Sequence, residues 1–198
     1  MSGCHVAVDV GGTFTDVVVF DEAASKISIG KVPSTPSSPA EGLMNGIREV
    51  RLSGDQIGLF SHGTTIATNA LITRRLPRTG LVSTAGFRDV LEIRRSTKDD
   101  LWDAYKNVAP PYIPRRDRLE VRERIAYDGS VLTPLDERQA REVARIFGRR
   151  RVESIAVSFL NSYVNPAHER RMKEILAEEL PGVTVTVSSD VLPEIFEF

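Results

Sequence analysis

Asp9, Gly11, Gly12, Thr13, Thr15 and Asp16 stand within one short stretch near the N-terminus. Glycine has no side chain and tolerates positive φ, so backbone N–H groups at Gly11-Gly12 can approach an anion closely. The hydroxyls of Thr13 and Thr15 add further donors. Carboxylates suit a hard cation such as magnesium, bound directly or through its waters. Phosphate donors beside cation ligands suit a polyphosphate and its magnesium ion. A plain β-hairpin with polar turn residues fits the same stretch. Asp9 tips the balance toward phosphate, because it interrupts the apolar run Val6 to Val10 and a buried carboxylate needs a partner.

The elements that must position these groups follow from pattern. Val6 to Val10 and Val17 to Phe20 are runs rich in β-branched residues around a Gly-Gly turn, which predicts a hairpin. Ile27 to Val32 predicts a third, antiparallel strand. Pro33, Pro36 and Pro39 form a linker, and Ser38-Pro39-Ala40-Glu41 reads as a capping box. Leu43, Met44, Ile47 and Val50 share one face of the helix that follows. Ile57 to Phe60 is a short strand, His62-Gly63-Thr64-Thr65 a polar corner, and Ile66, Ala67, Ala70 and Leu71 return to helical spacing. Arg74 to Arg78 is a loop, and Gly80 to Ser83 another strand. Residues 96–117 hold Trp102, Tyr105, Tyr112 and several prolines, so they form an irregular excursion. Its aromatics either pin a long loop or face a substrate as a lid. Leu119 to Ala126 alternates charge with apolar residues as an exposed strand would, and Asp128-Gly129 signals a hairpin turn. A helix begins after Thr133-Pro134-Leu135-Asp136 and buries Ala140, Val143, Ala144 and Phe147. Its arginines, with Arg149 to Arg151, read as a solvated face. Ile155 to Leu160 is a buried strand. A helix from Asn165-Pro166 turns Met172, Ile175, Leu176 and Leu180 inward, and Val183 to Val187 is the last strand. Helices alternating with strands imply a parallel sheet.

Composition narrows the class. The 198 residues allow one large domain or two small ones, and 41% hydrophobic content suffices for a core. A net charge of -1 argues against a nucleic-acid footprint. No apolar run reaches a bilayer span, and no basic segment leads into an apolar core at the N-terminus, so no membrane partner and a cytoplasmic setting are expected. The single Cys4 excludes an intramolecular disulfide, and His5, His62 and His168 form no ligand motif.

Other nucleotide loops are missing. Gly30-Lys31 is followed by Val32, with Ser25 where a Walker loop needs glycine, and neither Gly-x-Gly-x-x-Gly nor Gly-x-Ser-x-Gly occurs. What remains is a strand-turn-strand clamp of the actin-like kind. Asp9-Val-Gly-Gly-Thr-Phe-Thr-Asp16, His62-Gly-Thr-Thr-Ile-Ala-Thr-Asn-Ala-Leu71 and Thr79-Gly-Leu-Val-Ser-Thr-Ala-Gly-Phe87 resemble the N-terminal region of the hydantoinase A and 5-oxoprolinase family. The likeness continues through Ile93-Arg-Arg, Tyr112-Ile-Pro-Arg, Arg122-Glu-Arg-Ile125 and Val157 to Glu169.

The resemblance implies an α/β, ribonuclease H-like lobe of an actin-type ATPase. Its mixed sheet would have three antiparallel strands, then parallel ones, with helices on both faces. It implies a phosphate-binding part over 1–95, an insertion over 96–130 and an αβαβ continuation over 131–198. ATP and Mg2+ are the expected cofactors. Gly11, Gly12, Thr13 and Thr15 would cradle phosphates, and Asp9 and Asp16 would orient magnesium. His62, Gly63, Thr64 and Thr65 would bring N–H groups and hydroxyls to the same cleft, with His62 either facing the phosphoryl acceptor or capping the helix. The implied reaction is ATP-dependent hydrolysis of a cyclic amide, a small-molecule substrate, beside a hydantoinase B-like subunit or domain. The alternatives are the ATPase subunit of an acetone- or acetophenone-type carboxylase, and a non-catalytic domain that depends on a partner. Family members are much longer, and Glu194-Ile-Phe-Glu-Phe198 ends abruptly, so a fragment with weak ATP binding is expected.

Overall fold

A computed structural model describes residues 3–35, 38–94, 100, 102–106 and 109–195. Pro36, Arg95 and the last three residues, which entered the readings above, lie outside that set. The chain divides into two compact units, Met1–Arg75 and Leu76–Phe198. Among the described residues no helix is long and apolar enough to cross a membrane.

Unit 1 runs β1 (Cys4–Val10), β2 (Phe14–Asp21), β3 (Lys26–Pro33), α1 (Pro39–Glu49), β4 (Ile57–Thr64) and α2 (Ile66–Thr73). The strand order is β3-β2-β1-β4. The first three strands are antiparallel and β4 lies parallel to β1. Alternation sends Val6, Val8, Val10, Val17 and Val19 to one face, where Leu43 and Ile47 of α1 cover them. The helix approaches closely because Gly46 has no side chain: a Cβ there would stand 2.6 Å from Val17 Cγ2. Pro39 sits in the first turn as expected, but the Ser38 side chain makes no capping bond. The opposite face of the sheet is open, with Val18, Phe20 and Ile29 exposed. β4 is longer than the predicted strand. His62, Gly63 and Thr64 continue its ladder with Val8, Asp9 and Val10, so only Thr65 is left as the corner before α2.

Unit 2 runs β5 (Thr79–Thr84), α3 (Val90–Ile93), β6 (Arg118–Val121), β7 (Arg124–Ile125), β8 (Val131–Thr133), α4 (Glu137–Arg149), β9 (Ser154–Ser158), α5 (Ala167–Glu179), β10 (Thr184–Val187) and α6 (Ser188–Val191). Its main sheet has the order β10-β9-β5-β6, with every pair parallel. Val82, Ile155, Val157 and Val187 pack there against Phe147 of α4 and Met172, Ile175 and Leu176 of α5. Asp136 caps α4 by accepting from the Gln139 N–H at 3.0 Å.

Three expectations are corrected here. The exposed strand over Leu119 to Ala126 is two strands: β6 joins the parallel sheet, while β7 pairs with β8 across the Asp128-Gly129 turn. Between them Glu123 is buried, taking hydrogen bonds from Thr84 and the His168 ring. Arg150 is not merely solvated, since with Arg78 it pairs the buried Asp117. Trp102 and Tyr105 pin no loop among the described residues: they are 95% and 94% exposed.

Candidate functional site

The hairpin places Asp9 and Asp16 directly opposite each other, two residues before Gly11 and three residues after Thr13 at the tip. Cross-strand partners share a face, so both carboxylates project from the open face of the sheet. The pairing extends the row to Lys31 on β3 and Gly63 on β4. Asp9 is therefore exposed rather than buried, which corrects the reason first given for suspecting it. The charges supply a better one. Like charges directly opposite destabilise a sheet. Lys31 Nζ stands 2.9 Å from Asp16 Oδ1 and 4.9 Å over the Phe14 ring, which offsets one charge. Asp9 has no cationic partner among the described residues.

Beyond the tip lies a cavity of about 710 Å³. Gly11, Gly12 and Thr13 form one wall and Ser34 and Thr35 another. Gly11 is committed to the turn, its N–H donating to Phe14 O at 3.0 Å. The N–H groups of Gly12 and Thr13 have no acceptor among the described residues. A Cβ at Gly12 would stand 3.1 Å from Asn69 Nδ2, so any side chain there would press on that amide. Asn69, Thr73 and Arg75 close the far side. Arg75 is the one cation lining this cavity, and it has no carboxylate partner among the described residues. Asn69 and Arg75 were missed in the sequence. Asn69 stands one turn after the Thr65 corner, which is the signal that could have found it.

The remaining candidates are placed elsewhere. Thr15 is fully buried on the α1 face, its Oγ1 3.0 Å from Ser34 Oγ. It cannot cradle a phosphate as arranged, but it holds Ser34, which lines the cavity. Thr64 Oγ1 donates to Val10 O at 3.1 Å and accepts from the Ile66 N–H at 3.3 Å, joining β4 to α2. Thr65 Oγ1 accepts from Asn69 Nδ2 at 3.2 Å, which orients that amide toward Gly12. Gly63 flanks Asp9, with Oδ1 3.7 Å from where a Cβ would be. His62 is neither a corner nor a neighbour of the aspartates. It pairs with Val8 in mid-strand, so its ring leaves the sheet on the opposite face from Asp9.

These residues fit a hydrated magnesium ion brought with a polyphosphate. Among the described residues no group of three or more His, Cys, Asp or Glu could hold a metal. Magnesium keeps several waters and uses one or two carboxylates plus phosphate oxygens, which the Asp9–Asp16 pair can provide.

Comparison with known proteins agrees with this architecture. The chain is 36% identical to the acetophenone carboxylase gamma subunit of Aromatoleum aromaticum, over 98% of its own length and 29% of that protein. It is 34% identical to the caprolactamase subunit alpha of Pseudomonas jessenii, over 98% and 29%. The crystal structure of that ATP-dependent caprolactamase matches with a TM-score of 0.82. A nucleotide-free structure of acetone carboxylase matches with a TM-score of 0.86 at 29% identity, covering 100% of this chain and 31% of that one. The chain thus spans less than a third of the length of these relatives. Its mixed α/β architecture is that of an actin-like ATPase lobe. The model of the hydantoinase/oxoprolinase N-terminal region matches residues 5–180, and the chain belongs to that family.

Proposed function

We propose that this chain is the phosphate-binding part of an ATP-dependent enzyme that opens a cyclic amide. The observation that carries the reading is the hairpin itself: two in-register aspartates behind a tip whose Gly12 and Thr13 N–H groups have no acceptor among the described residues. An amide resists attack by water. When bound, ATP with its magnesium ion supplies a phosphoryl group to the ring carbonyl oxygen, leaving the carbon electrophilic and the oxygen a good leaving group. Phosphoryl transfer needs positioning and charge neutralisation more than covalent help from the protein. Gly12 and Thr13 would donate backbone N–H groups to phosphate oxygens, and Ser34 and Asn69 would add side-chain donors. Arg75 would neutralise charge from the far wall. Asp9 and Asp16 would hold the hydrated cation, with Lys31 holding Asp16 in place. A hydantoinase B-like partner and a cytoplasmic setting belong to the same reading.

A ketone carboxylase subunit is the second reading, favoured by the 0.86 TM-score to acetone carboxylase. The two separate in one experiment on the full-length protein with its partner subunit. A lactam labelled with oxygen-18 at the carbonyl should deliver that label to inorganic phosphate during ATP-dependent ring opening. Label retained wholly in the carboxylate product would remove phosphorylation of the carbonyl. Bicarbonate-dependent consumption of a ketone, without lactam opening, would move the assignment to the carboxylase. Asp9→Asn in the same protein should lower ATP-dependent turnover by about 100-fold or more, the scale of losing one positioned electrostatic group; wild-type rates would take Asp9 out of the mechanism.

A further inference from the structure

The parallel sheet of unit 2 is wound in two directions from its middle. The chain leaves β5 toward β6 on one side and leaves β9 toward β10 on the other, yet β5 and β9 are neighbours. In parallel α/β sheets, connections that diverge from adjacent strands leave a crevice at the strands' carboxyl ends, where ligands bind. Ser83 and Ser158 are register partners at those ends. A cavity of about 370 Å³ lies at this place.

Its floor is the sheet face turned away from α4 and α5. Leu81, Ala156 and Thr186 lie in register across β5, β9 and β10, with Ser83 and Ser158 in the next row. Phe87 and Leu91, from the connection that follows β5, add an apolar wall. The volume falls within the range of small-molecule pockets. Among the described residues no basic side chain lines it and its one ionisable group is Glu194, so it offers a phosphate no cation. The Ser83 hydroxyl is the second observation. Ser83 is 3% exposed and its Oγ has no hydrogen-bond partner among the described residues. Val82 packs into the helix-covered core, so its neighbour Ser83 faces the cavity. A buried hydroxyl without a partner is costly and calls for one.

We propose that this cavity is a second ligand site, for a small uncharged organic molecule with one hydrogen-bond acceptor such as a carbonyl. The apolar body rests on Leu81, Ala156 and Phe87, and the acceptor takes the Ser83 hydroxyl proton. The site lies wholly in unit 2 and does not depend on the phosphate reading of unit 1.

Cyclohexanone tests it, with toluene as a ring of similar size without the acceptor and pyrophosphate as a reporter of the other cavity. Binding to the intact protein is read by saturation-transfer NMR titration. Cyclohexanone should bind saturably. Ala156→Phe, which fills the floor, should weaken it at least tenfold while pyrophosphate binding is unchanged. Thr186→Trp, at the exposed edge of the same floor, should do the same, and serves if the first variant does not fold. Ser83→Ala should weaken cyclohexanone about fivefold, the scale of one neutral hydrogen bond, and leave toluene unchanged. The absence of saturable cyclohexanone binding to the wild type, or equal binding by the two filled variants, would overturn the site. Unchanged cyclohexanone affinity in Ser83→Ala would overturn the role given to the hydroxyl.

Discussion

Both units press a helix onto a sheet through a glycine, but the glycine sits on opposite partners. In unit 1 it belongs to the helix: Gly46 of α1 lies against Val17 of β2. In unit 2 it belongs to the strand: a Cβ at Gly80 of β5 would stand 2.6 Å from the Phe147 ring of α4. The consequences differ. Phe147 fills the centre of a core that two helices share. Unit 1 has only a row of valines under one helix, and its close helix brings Gly42 to 3.4 Å, measured from the Cβ it lacks, from the Thr15 hydroxyl that holds Ser34. Packing in unit 2 serves stability, whereas packing in unit 1 also sets the wall of the cavity beyond the hairpin tip.

The largest effect should come from Phe147→Ala, which empties that core and should cost about 3–5 kcal/mol in denaturant unfolding. Phosphate binding by whatever remains folded should be unchanged. Next come the two glycines. Gly46→Ala gains about 1 kcal/mol of helix propensity. It loses about 1–3 kcal/mol to overpacking, because the stiff Val17 methyl cannot withdraw. Gly80→Ala meets three atoms of a ring and should be the more destabilising of the pair. Only Gly46→Ala should also weaken pyrophosphate binding. Equal loss of binding in both variants would erase the contrast between the units. Smallest is Arg75→Ala, which should weaken pyrophosphate about tenfold, near 1.4 kcal/mol, without shifting the unfolding midpoint. A change of the midpoint instead would make Arg75 a structural residue.

The hairpin was legible because its information is local: alternating valines and a Gly-Gly turn lie within one stretch, and so do the helix faces of α1, α4 and α5. Two kinds of information were not local. Charged residues in Leu119 to Ala126 suggested an exposed strand, but Glu123 is satisfied by His168 and Thr84, far away in sequence. Spacing cannot reveal which distant partners will neutralise a charge. Strand length was the other. His62 looked like a corner because it precedes Gly63, Thr64 and Thr65, yet pairing with Val8 kept it in β4. That register also decided which face His62 takes, and one residue's difference would have placed it beside Asp9. Arg75 gave no sign at all, since it reaches the cavity only through the αL turn at Arg74 that ends α2.

The parallel pairing of β1 with β4 has a consequence in time. β1, β2 and β3 join through short turns and can form as fast as hairpins do, in about 1–10 μs. Val10 meets the Thr64 hydroxyl across 54 residues, and closing a loop that long costs on the order of 3–4 kcal/mol of chain entropy before any contact rewards it. The Gly-Gly tip should therefore be shaped early, while Asn69 and Arg75 arrive only when β4 docks. Pulse-labelled hydrogen exchange during refolding should protect Val18 and Val19 before those N–H groups of β4 that bond to β1. Simultaneous protection would mean that the cavity is assembled in one step, not from an early half and a late one.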